Sequence, residues 1–246
     1  MSSAIFEGNR ANGYDSFINK WMPGYAAFQQ ALPHIMEQYL PTSSNPRLLV
    51  VGSGTGTELL HLAQSKPNWR LQGVDPSPDM VLQSRGKLTN FPHVDIQEGY
   101  VGDLPKQDAY EGATLLLVMH FLPDDGAKAE LLRSIAQRLR KGAPLILLDI
   151  FGNPTQLAHN LALLDSFLPD VPTGEVQERI AGLPTRLHPI GSQRLENLCR
   201  EAGFEKPIQF FQMASYKKAA KADSTQSDGG SSSGSEKSSG SDKGSS

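Results

Sequence analysis

The chain has one cysteine, Cys199, in 246 residues. That excludes an intramolecular disulfide and a cysteine-based zinc cluster, and no metal site is expected. No apolar stretch reaches the ~18 residues of a membrane-spanning helix. Neither sign of charge is in excess: the formal net charge is −3. Nothing therefore draws the whole chain toward nucleic acid or an anionic membrane. Met1-Ser2-Ser3-Ala4-Ile5-Phe6-Glu7 lacks the basic-then-apolar plan of a signal peptide. A cytoplasmic setting follows.

Residues 221–246 are mostly Ser, Gly, Asp and Lys. Such a segment cannot bury a core and reads as a disordered tail. The remaining length suffices for one α/β domain. Residues 1–45 read as an N-terminal helical lid and 46–220 as the main domain. Phe28, Ala31, Leu32, Ile35, Met36 and Tyr39 recur at helical spacing. Pro33 inside that pattern predicts a kink or two helical pieces.

From Arg47 onward, short apolar runs alternate with helical patterns. Leu48–Val51, Trp69–Val74, Val94–Gln97, Ala113–Val118 and Leu145–Ile150 read as strands. Between them, Thr57–Gln64, Pro78–Leu88 and Ala127–Arg140 read as helices. This alternation predicts a Rossmann-like, doubly wound, mostly parallel sheet. A helical insertion at about 152–190 reads either as packing helices or as a cover over the mouth of the sheet. Ser192–Ala202 is a helix stopped by Gly203, and Ile208–Met213 is expected to be an antiparallel edge strand.

The most informative stretch is Val50-Val51-Gly52-Ser53-Gly54-Thr55-Gly56, where a buried strand ends in alternate glycines. Glycines there allow a tight turn and close backbone approach to a ligand, and the helix that follows offers free N–H groups. Asp75 ends the second strand about 20 residues further on, where an acid can accept hydrogen bonds from both hydroxyls of a ribose. Together they indicate a nucleoside-containing ligand, either a dinucleotide or S-adenosylmethionine. The third glycine comes one residue early for the dinucleotide pattern, and ~46 residues precede the unit. Both facts favour the methyl donor.

The stretch Arg47–Asp149 resembles a class I S-adenosylmethionine-dependent methyltransferase. The matched pieces are the glycine loop, Val74-Asp75-Pro76-Ser77-Pro78-Asp79-Met80, Gln97-Glu98-Gly99-Tyr100, Leu117-Val118-Met119-His120-Phe121-Leu122 and Leu139-Arg140-Lys141-Gly142. Tyr14-Asp15, Pro23-Gly24-Tyr25, Glu201-Ala202-Gly203-Phe204 and Phe210-Phe211-Gln212 are similar to a branch that contains carboxy-S-adenosylmethionine synthases of tRNA modification. The resemblance implies a cofactor site of Tyr25, Gly52, Ser53, Gly54, Gly56, Asp75, Pro76, Met80, Tyr100, Val101 and Val118. In it the amides around Gly52–Gly54 face the methionine part, Met80 packs on adenine, Tyr100 and Val101 bracket it, and Val118 underlies the sulfonium. Met80 at helical spacing also fits a core position.

The sequence departs from the family where acids are usual, with Val50 in strand one and Tyr100 after strand three. Leu116 replaces an asparagine of the synthase branch. No motif locates an arginine for the synthase's extra carboxylate, although Arg179 and Arg186 lie in the right region. These departures argue against a carboxylated cofactor.

Methyl transfer from a sulfonium depends mainly on alignment and desolvation. Where the acceptor must lose a proton, His120 is the candidate base, unless it merely hydrogen-bonds within its loop. Leu157, Leu161, Leu164, Phe167 and Leu168, with Phe6, Tyr14, Phe17, Trp21 and Tyr25, suggest apolar and aromatic walls for a small-molecule substrate. The basic clusters, Arg133/Arg138/Arg140/Lys141 and Lys217/Lys218/Lys221, are slight for nucleic-acid binding. The expected activity is methyl transfer to a small molecule. The alternatives are a carboxy-S-adenosylmethionine-type synthase or tRNA-modifying enzyme, and a non-catalytic cofactor-binding protein. A homodimer stays open.

Overall fold

The computed structural model describes residues 13–22, 24–40, 45–106, 110–163, 166, 168, 171–182 and 187–212. The tail at 221–246, residues 1–12 with Phe6, and Leu164, Phe167, Arg186, Met213, Lys217, Lys218 and Lys221 lie outside them, as does the Arg179 side chain.

The apolar runs form five strands: β1 (Arg47–Val51), β2 (Arg70–Asp75), β3 (Val94–Glu98), β4 (Gly112–Leu116) and β5 (Leu145–Leu148). All four pairings are parallel, in the order β3-β2-β1-β4-β5. β2, β1 and β4 are the inner strands, and the runs of β1 and β4 are apolar because both faces are covered. Leu49, Val51, Val74, Ala113 and Leu115 pack with Leu132, Ile135 and Leu198. Those partners come from α5 (Ala127–Ala136) and α8 (Ser192–Ala202). Leu48, Val50, Leu71 and Leu116 face the opposite way, onto Phe28, Leu32, Leu59, Leu62 and Val81. These belong to α2 (Tyr25–Tyr39), α3 (Thr57–Ser65) and α4 (Pro78–Lys87). The chain runs outward from β1 through β2 to β3, then returns to lay β4 on the other side of β1. The crevice opened by that reversal lies beyond the carboxyl ends of β1 and β4.

Several elements differ from the sequence expectation. Residues 14–21 form a helix, α1 (Tyr14–Trp21), whose Ile18 and Trp21 are buried. Ile18 packs with Tyr25 and Leu117, while Trp21 packs with Leu168, Val171 and Val176. Burial from two sides thus orders a short helix that its own composition would not. α2 runs through Pro33 as one helix, with the proline ring buried. α5 stops at Ala136 rather than Arg140. The turn that follows lets buried Arg138 donate to the carbonyls of Gly102 at 2.7 Å and Leu104 at 3.1 Å. β4 ends at Leu116, because Leu117 adopts a left-handed backbone with φ 57°. Residues 205–212 form no strand, so the expected antiparallel edge strand is absent among the described residues. Pro207 removes a ladder donor there, and Phe211 stacks on Phe28 with centroids 5.0 Å apart. The insertion carries α6 (Pro154–Ala162) and α7 (Thr173–Gly182). No described helix is long and apolar enough to cross a membrane.

Candidate functional site

The glycine loop follows β1 directly. Gly52, Gly54 and Gly56 all take positive φ, at 69°, 52° and 83°. A Cβ on Gly52 would lie 2.4 Å from Val118 Cγ2, and one on Gly56 would lie 2.4 Å from Ser84 Oγ. A Cβ on Gly54 would meet nothing within 4 Å, so the loop's open side is at Gly54. The loop amides are not directed outward as the sequence suggested. Those of Gly52 and Ser53 donate to Val74 O at 2.8 and 3.1 Å, and that of Gly56 to Ser53 O at 3.0 Å. Gly54 N–H donates to Asp75 Oδ2 at 2.9 Å. The amides of Gly52, Ser53, Gly54 and Gly56 are thus engaged within the protein.

Asp75 is the pivot of the loop. Its Oδ1 accepts from Ser77 N–H at 2.9 Å, while Oδ2 holds Gly54. Burial raises its pKa despite those two amide donors. Ser77 caps α4 through Met80 N–H, as the Ser-Pro sequence implies. Met80 is buried and Pro76 half-buried beside it. Tyr100 is exposed, and its N–H donates to Asp103 Oδ2 at 2.8 Å. Val101 is buried with Val51 and Val74.

On the other side of the crevice, the left-handed Leu117 turns the chain after β4. Val118 then lies against Gly52, and Met119–Phe121 forms one tight turn. His120 is buried, and its Nδ1 pairs with Asp149 Oδ1. Asp149 is held by amides as well: Met119 N–H donates to Oδ2 at 2.6 Å and Ile150 N–H to Oδ1 at 2.7 Å. Its side chain is 1% exposed. His120 is thus a histidine oriented by a fixed carboxylate, the arrangement a general base needs.

α1 and α2 roof this crevice. Asp15 Oδ1 accepts from Thr55 and Thr57 hydroxyls at 2.5 and 3.0 Å, and Oδ2 from Lys87 at 2.7 Å. Burial opposes the ionisation of Asp15, but these bonds outweigh it and hold its pKa below the usual value. Tyr25 is buried and its hydroxyl accepts from Gln29 Nε2 at 2.6 Å. Burial first raises the phenol pKa values of both tyrosines, with nearby carboxylates adding to it at Tyr14, and Tyr14 and then Glu58 adding to it at Tyr25. Tyr14 lies in the field of Asp15, Asp75 and Asp149, so α1, β2 and β5 converge on one acidic mouth.

Glu58 and Asp149 carry no role in the sequence reading, which has Tyr14 as a pocket wall and Asp15 only beside it in a branch motif. Asp149 could have been found by the rule that selects Asp75, since it is an acid directly after an apolar strand. Glu58 sits among the apolar positions of α3, where a buried acid is indistinguishable from a solvated one by pattern. For Asp15 the pattern offers no signal, because its partners come from two distant segments.

This geometry meets an independent comparison. Residues 48–142 match the model of a methyltransferase domain. Over that stretch the chain is similar to a methyltransferase domain. A carboxy-S-adenosyl-L-methionine synthase of Idiomarina loihiensis is 22% identical over 168 residues, covering 66% of this chain and 68% of the relative. The synthase of Mannheimia succiniciproducens is 26% identical over 166 residues, with the same coverages of 66% and 68%. A solved Methanococcus maripaludis protein, assigned as an S-adenosylmethionine-dependent methyltransferase, superposes with a TM-score of 0.55 at 18% identity. The match covers 80% of this chain and 85% of that one, and at such identity it speaks for the fold. The matched stretch runs from β1 to the turn before β5, with the glycine loop near its start and α1, α2 and the insertion outside it.

Proposed function

We propose that the protein transfers a methyl group from S-adenosylmethionine to a small-molecule acceptor. The observation that carries this reading is the acidic mouth: Asp15, Asp75 and Asp149 all act on one half-buried tyrosine, Tyr14. Carboxylates at the crevice suit a ligand that carries a sulfonium and an ammonium. Two cations that act on these acids are engaged within the protein: Lys87 pairs with Asp15, and Lys128, in the field of Asp149, donates to the Met119 carbonyl. The relatives named as synthases favour a second reading, a carboxylated cofactor. An additional carboxylate would meet repulsion at this mouth.

In the proposed site, Asp75 holds the ribose hydroxyls through the lone pairs that Gly54 and Ser77 leave free. Gly52, Ser53, Gly54 and Gly56 form the floor, and the open face at Gly54 admits the ligand. Pro76, Met80, Tyr100 and Val101 surround the base, and Tyr25 closes the site from α2. Val118 lies below the reacting carbon. When bound, the cofactor supplies a methyl group already activated by positive charge. The chain aligns the acceptor and excludes water beneath α1, and His120, oriented by Asp149, takes the acceptor's proton. The basic cluster after β4 supports a small acceptor rather than nucleic acid: Arg133 pairs with Glu130, Arg140 with Glu111, and Arg138 is buried. We place this activity in the cytoplasm.

Mass spectrometry of ligand released from the purified protein, with calorimetry against S-adenosylmethionine and S-adenosylhomocysteine, tests the reading. Recovery or binding of the uncarboxylated cofactor is expected. A released mass with an added carboxyl would favour the second reading, and no binding of either ligand would end both.

A further inference from the structure

One buried acid has no part in the site as described so far. Glu58 lies in the first turn of α3, two residues after Gly56, and is 6% exposed. Its Oε1 has no hydrogen-bond partner among the described residues. The groups around it are polar but bring no cation. Thr114 of β4 faces it with a buried hydroxyl, near enough to favour the ionised form but outside hydrogen-bond geometry. Tyr25 of α2 lies within its electrostatic reach. Gln29, bonded to Tyr25, adds a third buried oxygen without a partner, Oε1. Thr114 is in register with Val50, two residues before Gly52, so this group of orphan acceptors sits beside the strand that feeds the glycine loop. An ammonium group offers three N–H donors and one positive charge. Buried acceptors without donors are rare, and a carboxylate among them is the costliest to leave unmatched.

We propose that Glu58 is the carboxylate that receives the ammonium group at the amino-acid end of S-adenosylmethionine. This rests on the function proposed above. It assigns to α3 the charge that Val50 cannot supply from β1, and it explains why the loop amides can be engaged within the protein. Burial raises the Glu58 pKa to about 7, close to the physiological range. Thr114 from β4 lowers it, Tyr25 is the titratable group facing it from α2, and β1 presents only Leu48 and Val50 on that side. Tyr14 and Asp15 of α1 act on Tyr25. Binding an ammonium requires the ionised carboxylate, so affinity for amino-acid-bearing ligands rises with pH through that window.

The test compares S-adenosylhomocysteine with 5′-methylthioadenosine, which lacks the amino-acid end, by calorimetry at pH 6 and pH 8. The wild-type protein should bind S-adenosylhomocysteine about tenfold more tightly at pH 8 and 5′-methylthioadenosine equally at both. Glu58→Gln should weaken S-adenosylhomocysteine at least about tenfold at pH 8, remove its pH dependence, and leave 5′-methylthioadenosine within about twofold. Unchanged binding of S-adenosylhomocysteine by the variant would overturn the proposal. Equal loss of both ligands would overturn it too, by showing that Glu58 only supports the pocket. Failure of the wild-type protein to bind either ligand would instead overturn the proposed function, and this inference with it.

Discussion

Asp15 of α1 and Lys87 of α4 form a 2.7 Å ion pair across the glycine loop. Thr55 and Thr57 donate to the same Asp15 carboxylate, so the N-terminal helix is fastened to the loop it covers. The Asp15 side chain is 40% exposed, and solvent weakens the pair. Asp15→Ala should therefore cost only about 1 kcal/mol in thermal denaturation. Protease cleavage within residues 13–22 should accelerate more than the global loss predicts. Because the folded pKa of Asp15 is depressed, its contribution is complete above the unfolded value of 3.8 and is lost as pH falls through the folded one. The variant should thus lose the difference from wild type in strong acid.

Asp75 accepts two amides and, in the proposed site, two ribose hydroxyls. Asp75→Asn should weaken S-adenosylhomocysteine by about 1–3 kcal/mol in calorimetry. Its thermal midpoint should move little. The substitution removes a buried charge whose pKa is raised by desolvation, and this opposes the loss of one amide acceptor. A folded variant with wild-type affinity would exclude Asp75 from the ligand.

Gly52 and Gly54 separate the loop's structural role from its binding role. Gly52→Ala adds a Cβ 2.4 Å from Val118 Cγ2 at φ 69°, so stability should fall by about 2 kcal/mol or more. Val118→Ala in the same chain should recover part of that loss in a double-mutant cycle. Gly54→Ala meets nothing within 4 Å and should cost only the backbone strain, about 1 kcal/mol, while its methyl enters the open side and weakens cofactor binding. Equal stability losses for both alanines would contradict the close approach of Val118.

The parallel sheet and Asp75 could be read from the sequence because buried strands are continuous apolar runs and ligands gather at their carboxyl ends. The same rule would have yielded Asp149. The α1 helix could not be read, since Ile18 and Trp21 are ordered by partners as distant as Leu117 and Val176. Ile208 to Phe211 matched a strand by alternation, yet Ile208 is 82% exposed and Phe211 docks on Phe28 instead. Periodicity reports which faces are apolar and leaves their partners undetermined. Glu58 shows the same limit, because only packing reveals that this acid is buried.

His120 and Asp149 provide the last prediction. Asp149 holds the turn through two amides as well as orienting the imidazole, so the two residues should separate on mutation. His120→Ala leaves those amides bonded. It should keep affinity for S-adenosylhomocysteine within about twofold and lower formation of that product, assayed with pooled small-molecule acceptors, by about 100-fold or more. Asp149→Ala strips Met119 N–H and Ile150 N–H of their acceptor in a site 1% exposed, and should lose about 2–4 kcal/mol of stability besides. Asp149→Asn keeps an acceptor for one amide and most of the fold, but removes the carboxylate that orients the imidazole, so its turnover should fall toward that of His120→Ala. If His120→Ala matched wild-type turnover while Asp149→Ala unfolded, the pair would be a structural brace for the turn after β4, and the acceptor would need no base.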